Sequence, residues 1–465
     1  MKKQWRSLVL SLLVPAGCIG GAGDVLVGSA SEASKTQSPT DAMTSPSGQF
    51  QTYSTSGTVD TTNPFFQSLG TNGRSCVTCH APQDGWTVTP TDLQARFNAT
   101  SPKGTDPIFR SVDGANSPNA DVSTETARQR AYSMLLGKGL IRIGLPIPAN
   151  AEFTLDSVDD PYGYASASQL SLFRRPLPST NLGFLATVMW DGRETFPTQT
   201  ISFDLSDQAN GATLGHAQAI AALDTSTQAS IVAFEQTLFT AAISDDNAKN
   251  LTAKQGLGGP QNLATTPFHI GINDVLGRDP APNPPPFTPN VFTLYNNWIG
   301  APGGGTDGAR AAVARGQTLF NSNPIAITGV AGLNDLLGQT TINGTCSTCH
   351  DTPNVGDHSV GLPIDIGIAA ASLRTPDLPL YTLRNLATGA TVQTTDPGRA
   401  LITGKWADIG KFKGPSLRNL AARAPYFHNG SAASLDDVVS FYNTRFGIGL
   451  STPQQGDLVA FLQTL

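Results

Sequence analysis

Two Cys-x-x-Cys-His pentapeptides, Cys76-Val-Thr-Cys79-His80 and Cys346-Ser-Thr-Cys349-His350, set the strongest limit on what this 465-residue chain can fold into. Together they take four of the five cysteines, and each puts a histidine directly after its second thiol. A thiol pair at this spacing can bind one haem through two thioethers while the adjacent imidazole takes the iron. The pattern therefore predicts two covalently bound haems c, with His80 and His350 as iron ligands. Zinc half-sites and redox dithiols also use Cys-x-x-Cys, but a zinc site needs further ligands. The remaining histidines, His216, His269, His358 and His428, form no second knuckle.

A chain of this length exceeds what one core usually supports, and one motif falls in each half. We expect a first haem unit over residues 61–276, carrying an insertion over about 81–170, and a second over 291–465. Between them, residues 277–290 hold Pro280, Pro282, Pro284, Pro285, Pro286 and Pro289. Proline removes amide donors and fixes φ, so this stretch reads as a stiff connector or a strap.

The first residues, Met1-Lys-Lys-Gln-Trp-Arg6, are basic, and the apolar run after them is too short to span a bilayer. Residues 1–33 read as a secretory signal or a lipoprotein signal, which places the chain in the periplasm. Cys18 follows Pro15-Ala16-Gly17, a lipoprotein-like box with Pro where Leu is usual; the alternatives are a lipid anchor at Cys18 and ordinary cleavage before Ser34. Residues 34–60, rich in Ser, Thr, Gln and Asp, are expected to be a flexible leader. A formal net charge of −6 gives no reason to expect a nucleic acid partner.

Helical spacing is clearest over Ala311–Phe320, over Leu435–Tyr442 behind the capping-box residues Ser434 and Asp437, and over Gly456–Leu465. Gly316 in the first of these suits a close helix contact. No period-2 run stands out. The expected fold class is mainly α: two cytochrome c-like haem domains with long loops and little β structure.

The second half resembles the bacterial di-haem cytochrome c peroxidase family, which includes MauG. Phe412-Lys-Gly-Pro-Ser-Leu-Arg418-Asn419-Leu, Ala424-Pro425-Tyr426-Phe427-His428-Asn-Gly430 and the Ser434–Tyr442 segment carry the likeness. In the first half, Met189-Trp190-Asp191-Gly192-Arg193 is similar to the family's Trp-Asp-Gly-Arg signature. The resemblance implies a haem on His80 that takes hydrogen peroxide and a haem on His350 that relays electrons. Trp190 is then the bridging aromatic, with packing alone as its alternative, and Arg193 and Asp191 lie near propionates. It also implies electrons from a small redox protein or another donor, and dimers in many members.

At the position of Tyr442 the peroxidases carry a methionine and MauG a tyrosine, so the resemblance makes Tyr442 the sixth ligand of the second haem; His358 or an open site are the alternatives. His428 is expected close to the same haem. The family's gating histidine after the first motif is missing here, which leaves the first haem open or capped by another group such as Met134. Gln208 matches a conserved glutamine over the peroxide face. The glutamate expected ten residues later is Gln218, which cannot act as an acid or base, and His216 is the nearest substitute. The family's calcium between the haem domains would use carbonyls near Arg423 and Pro425, but Arg174-Arg175-Pro176 stands where its asparagine is expected. The insertion reads as a substrate wall or a surface loop. Peroxide reduction is the expected activity. The alternatives are MauG-like oxidation of a protein or small molecule, a di-haem oxygenase, and a non-catalytic electron-transfer cytochrome.

Overall fold

Residues spaced three and four apart from Arg310 to Asn321 are buried on one face of the helix Gly305–Ser322. That face lies against the C-terminal helix Thr452–Gln463. At Gly316 an added Cβ would stand 2.0 Å from the Asp457 carbonyl oxygen and 2.6 Å from Phe461 Cβ, so the close helix contact expected from the sequence is present. Phe292, Tyr295, Trp298, Phe320 and Phe461 fill the core beside this pair. The helix Leu435–Arg445 begins with the expected capping box: Ser434 Oγ accepts from the Asp437 amide at 3.1 Å, and Asp437 Oδ2 accepts from the Ser434 amide at 2.9 Å.

These relations belong to a computed structural model that describes Ser38, residues 40–101 and residues 103–465. The signal and lipid-anchor expectations for residues 1–33 and Cys18 lie outside the described residues. From Thr40 onward the described residues pack as one unit. No helix among them is long and apolar enough to cross a membrane.

The expectation of a mainly α fold with little β structure is corrected. Eleven strands form four antiparallel sheets among the described residues, so the architecture mixes helix and sheet. The leader assigned to 34–60 is corrected with it. Met43–Ser45 and Gly48–Ser54 are strands, and the second also pairs with Leu238–Asp245. Burial in Gly48–Ser54 alternates residue by residue, but hydrophobicity does not, because Thr52 and Ser54 point inward. Thr52 Oγ1 bonds Thr240 Oγ1 across the ladder at 3.0 Å, so a polar side chain is satisfied where a hydrophobic one was sought.

The insertion carries regular elements between its turns. It holds the helices Pro90–Thr100, Glu125–Ala131 and Ser133–Lys138 and the strands Ile141–Leu145 and Phe153–Asp159. Phe153–Asp159 pairs with Leu380–Asn385 from the other half of the chain. The proline-rich residues 277–290 carry no helix or strand. Asn273 clasps the segment, giving Nδ2 to the Thr288 carbonyl and accepting the Thr288 amide at Oδ1.

Candidate functional site

Each Cys-x-x-Cys-His motif folds into the same turn. Cys76–Thr78 and Cys346–Thr348 are short 3-10 segments in which the threonine hydroxyl accepts from the amide of the residue just before the first cysteine: Ser75 N to Thr78 Oγ1 and Thr345 N to Thr348 Oγ1, both 3.0 Å. The amides of His80 and His350 then bond the carbonyls of Cys76 and Cys346. Both imidazoles are held by Nδ1, His80 on the Trp86 carbonyl at 3.2 Å and His350 on the Gly356 carbonyl at 2.6 Å. A carbonyl can only accept, so Nδ1 carries the proton and Nε2 is the basic nitrogen of each ring. Burial pushes His80 down to about 4 and lowers His350 too, which keeps both neutral at pH 7.

Each turn opens on its own apolar cavity. Cys76, Cys79 and His80 line the first with Leu182, Leu205 and Ala209; Cys346, Cys349 and His350 line the second with Phe320, Val438 and Leu462. Burial pushes the thiols of Cys76, Cys346 and Cys349 up to about 12 and raises Cys79 as well. Neutral thiols in apolar surroundings suit covalent attachment better than zinc thiolate or a reactive dithiol.

The two cavities share a wall made by Arg175–Pro178, Trp190, Lys413, Pro415, Ser416 and Arg423, all of which face both. Trp190 is fixed there by Nε1 donating to the Arg175 carbonyl at 2.8 Å and by its own carbonyl accepting from the Lys413 amide at 2.9 Å. Asp191, fully buried, is paired to Arg174 at 2.5 Å and to Arg193 at 3.2 Å, and Arg174 also grips Asp396. Burial opposes ionisation of Asp191, yet the two guanidinium groups outweigh it and hold the carboxyl down at about 2.

Lys413, Arg418 and Arg175 are buried, and with Arg423 they hydrogen-bond to backbone carbonyls rather than to carboxylates. Arg418 Nε and one terminal nitrogen have no partner at all. Burial lowers all four, with Lys413 pushed down to about 8. Buried cations without counter-charge are costly. Two apolar cavities, each with a thiol pair and a neutral imidazole, and unpaired cations on their common wall fit two dianionic haems. Calcium does not fit. The Arg423 carbonyl accepts from the Arg175 guanidinium at 3.1 Å, and that guanidinium also holds the Val88 and Lys138 carbonyls, so a cation of the chain already fills the oxygen-lined place.

Gln208, His216 and Arg193 line the first cavity together with Trp190. His216 ends the helix Ile201–Gly215, and its Nδ1 meets Asp113 Oδ2 at 2.7 Å, while Arg74 holds the same carboxylate at 3.1 Å. Asp113 comes from the insertion, which thus reaches the first cavity through Asp113, Ile141 and Ile143. Gln218 is exposed and lines neither cavity.

Tyr442 and His428 line the second cavity. Burial pushes the Tyr442 phenol well above its usual range, and the nearby Cys346 and Cys349 sulfurs add to this. His428 stacks on Phe412 at 3.9 Å, and its buried Nε2 has no hydrogen-bond partner. Two alternatives are corrected. His358 lines neither motif cavity and gives Nδ1 to Asp351 at 2.9 Å. Met134 packs with Leu140, Phe173 and Leu378, away from the first cavity. Residues that the sequence alone did not single out are Asp113 as partner of His216, the cations of the shared wall, and Glu235, a buried acid in the first cavity. Only their side-chain types were visible beforehand.

Twin cysteine-histidine cavities meet at a wall bearing one tryptophan, an arrangement that suits c-type haem. Over about a quarter of its length the chain is similar to bacterial cytochrome c peroxidases. It is 38% identical over 136 residues to cytochrome-c peroxidase IdrP2 of Denitromonas iodatirespirans, covering 26% of this chain and 36% of that protein. With cytochrome c551 peroxidase of Pseudomonas aeruginosa it shares 30% identity over 121 residues, 26% of this chain and 30% of the relative. The chain thus matches about a third of the length of these curated relatives. No family model matches it. A solved MauG-like protein associated with microbial copper homeostasis aligns over 87% of this chain and 86% of its own, at 17% identity and a TM-score of 0.38, too distant to inform the site.

Proposed function

We propose that the chain is a periplasmic di-haem c-type peroxidase that reduces hydrogen peroxide in the first cavity with electrons relayed from the second. The observation that carries this reading is the shared wall, where Trp190 faces both cavities. Cys76 and Cys79 would bind the first haem and Cys346 and Cys349 the second, with His80, His350 and Tyr442 as iron ligands. When bound, the haems supply oxygen-bond cleavage and electron storage.

The chain's own residues supply the rest. Gln208 offers an amide that can hydrogen-bond peroxide but cannot exchange a proton. His216 is held with Nδ1 toward Asp113, which leaves Nε2 to accept or release a proton. Arg193, anchored on Asp191, sets positive charge at the edge of the same cavity. Trp190 is the aromatic step between the cavities, and His428 lies beside it. The wall cations Arg175, Lys413 and Arg423, with Arg418 of the first cavity, would receive propionates.

Electron paramagnetic resonance of the fully ferric protein, with peroxide turnover measured against a reduced small cytochrome, tests the reading. One high-spin and one low-spin haem with turnover support it. Two low-spin haems without turnover would leave an electron-transfer cytochrome.

A further inference from the structure

One acid of the first cavity takes no part in the proposed reduction. Glu235 is the penultimate residue of the helix Thr225–Gln236, and its side chain lines the cavity near Cys76. It is 6% exposed, and its Oε2 has no hydrogen-bond partner. No ion pair to Glu235 forms among the described residues. Two other buried carboxylates are held differently: Asp191 has two guanidinium partners, and Asp84 accepts from Thr89. A buried carboxyl with neither charge nor donor to satisfy it is stable only with its proton on.

We propose that Glu235 is the proton donor of the first cavity, carrying a proton on its carboxyl at neutral pH and passing it to the oxygen substrate bound there. The proposal rests on the peroxide reading of that cavity. As the peroxide O–O bond breaks, the departing oxygen takes the Glu235 proton and leaves as water. The two electrons come from the donor protein, the second proton comes from solvent, and the Glu235 carboxylate is reprotonated from solvent. Gln208 cannot fill this role, and His216, whose Nδ1 meets Asp113, is left to accept a proton at Nε2 from the incoming peroxide and to return it.

The surroundings agree with a neutral acid. Burial alone pushes Glu235 up to about 8. On the turn beside it the titratable groups are Cys76 and Cys79, both buried thiols shifted upward, and His80, which burial keeps neutral. On the helix Ile201–Gly215 packed against its own, the buried acid Asp204 accepts from the Phe196 amide and does not line the cavity. The segments Pro64–Phe66 and Leu182–Phe184 present no titratable side chain.

The test uses the haem-loaded protein and its Glu235→Gln and Glu235→Asp variants. The ferric absorption and spin-state spectra of the wild type should titrate with a midpoint near pH 8. That step should vanish in Glu235→Gln with haem content unchanged, and persist, displaced, in Glu235→Asp. Peroxide kcat should fall about 10²-fold in Glu235→Gln with KM unchanged, and recover in part in Glu235→Asp. A titration that survives in Glu235→Gln, or a kcat within twofold of wild type, would overturn the proposal. A wild type that turns over no peroxide overturns both the functional reading and the donor role, while loss of the spectral step in Glu235→Gln would still mark the acid. If Glu235→Gln fails to load haem, the Glu235→Asp titration and kcat decide.

Discussion

Trp190 and His428 meet edge to face, their ring centroids 6.2 Å apart and their planes at 62°. Trp190 faces both cavities and His428 faces the second, and His428 in turn lies flat on Phe412. Burial pushes His428 down to about 4, so a neutral imidazole sits between two aromatic rings at physiological pH. The three side chains form an apolar path off the shared wall.

Trp190→Phe keeps a ring at that place and removes the bond to the Arg175 carbonyl, a loss of about 1 kcal/mol. Peroxide turnover is expected to fall at least about tenfold, while haem content and ferric spin states stay as in the wild type. Equal turnover would assign Trp190 to packing alone.

Arg174 joins Asp191 to Asp396 in the interior. Arg174→Leu leaves two buried carboxylates facing each other and is expected to cost about 3–5 kcal/mol in chemical denaturation. Asp191 also makes stability depend on pH. Its folded value, about 2, lies below the unfolded one, so its contribution is complete above about pH 4 and is lost as pH falls through about 2. The Asp191→Asn variant should show a flatter acid limb.

The helix contact at Gly316 gives a paired test. Gly316→Ala drives a methyl into the Asp457 carbonyl and should destabilise by about 1–3 kcal/mol. Gly456, inside the partner helix, has open space around an added Cβ, so Gly456→Ala should stabilise by about 0.5–1 kcal/mol. Thermal melts of the two variants should move in opposite directions.

With the Arg175 guanidinium on the Arg423 carbonyl, removal of calcium should do nothing. Dialysis of the haem-loaded protein against a chelator is expected to leave its melting temperature and ferric spectra unchanged, with elemental analysis finding far less than one calcium per chain. A tightly held calcium whose removal alters the spectra would overturn that assignment.

Asp113→Asn separates the His216 pair from general packing. Burial opposes ionisation of Asp113, and His216 with Arg74 outweighs it and holds the carboxyl below its usual range. Neutralising it should weaken the hydrogen bond at His216 Nδ1 while leaving the fold intact, which nitrogen-15 NMR of the imidazole would read directly.

Local chemistry was legible in the sequence because it is encoded by adjacent residues. Both Cys-x-x-Cys-His turns, the Ser434–Asp437 capping box and the Gly316 contact need only neighbours or a fixed helical period to declare themselves. Gln208 and His216 were likewise found along the chain, and both line the first cavity. The strands were hidden because their inward positions are filled by residues such as Thr52 and Ser54, which bond Thr240 and Thr237 instead of being hydrophobic.

Pairings over long separations were decided by tertiary structure alone. Asp113 reaches His216 across 103 residues, Arg175 reaches the Arg423 carbonyl across 248, and the insertion strand joins Leu380–Asn385. Whether a buried charge is matched depends on what the rest of the chain brings near it. The sequence by itself determined that two thiol pairs with adjacent histidines are present and where each lies. Only the tertiary structure decided that their cavities share one wall, that unpaired cations line it, and that Glu235 is shut in the first cavity without a partner.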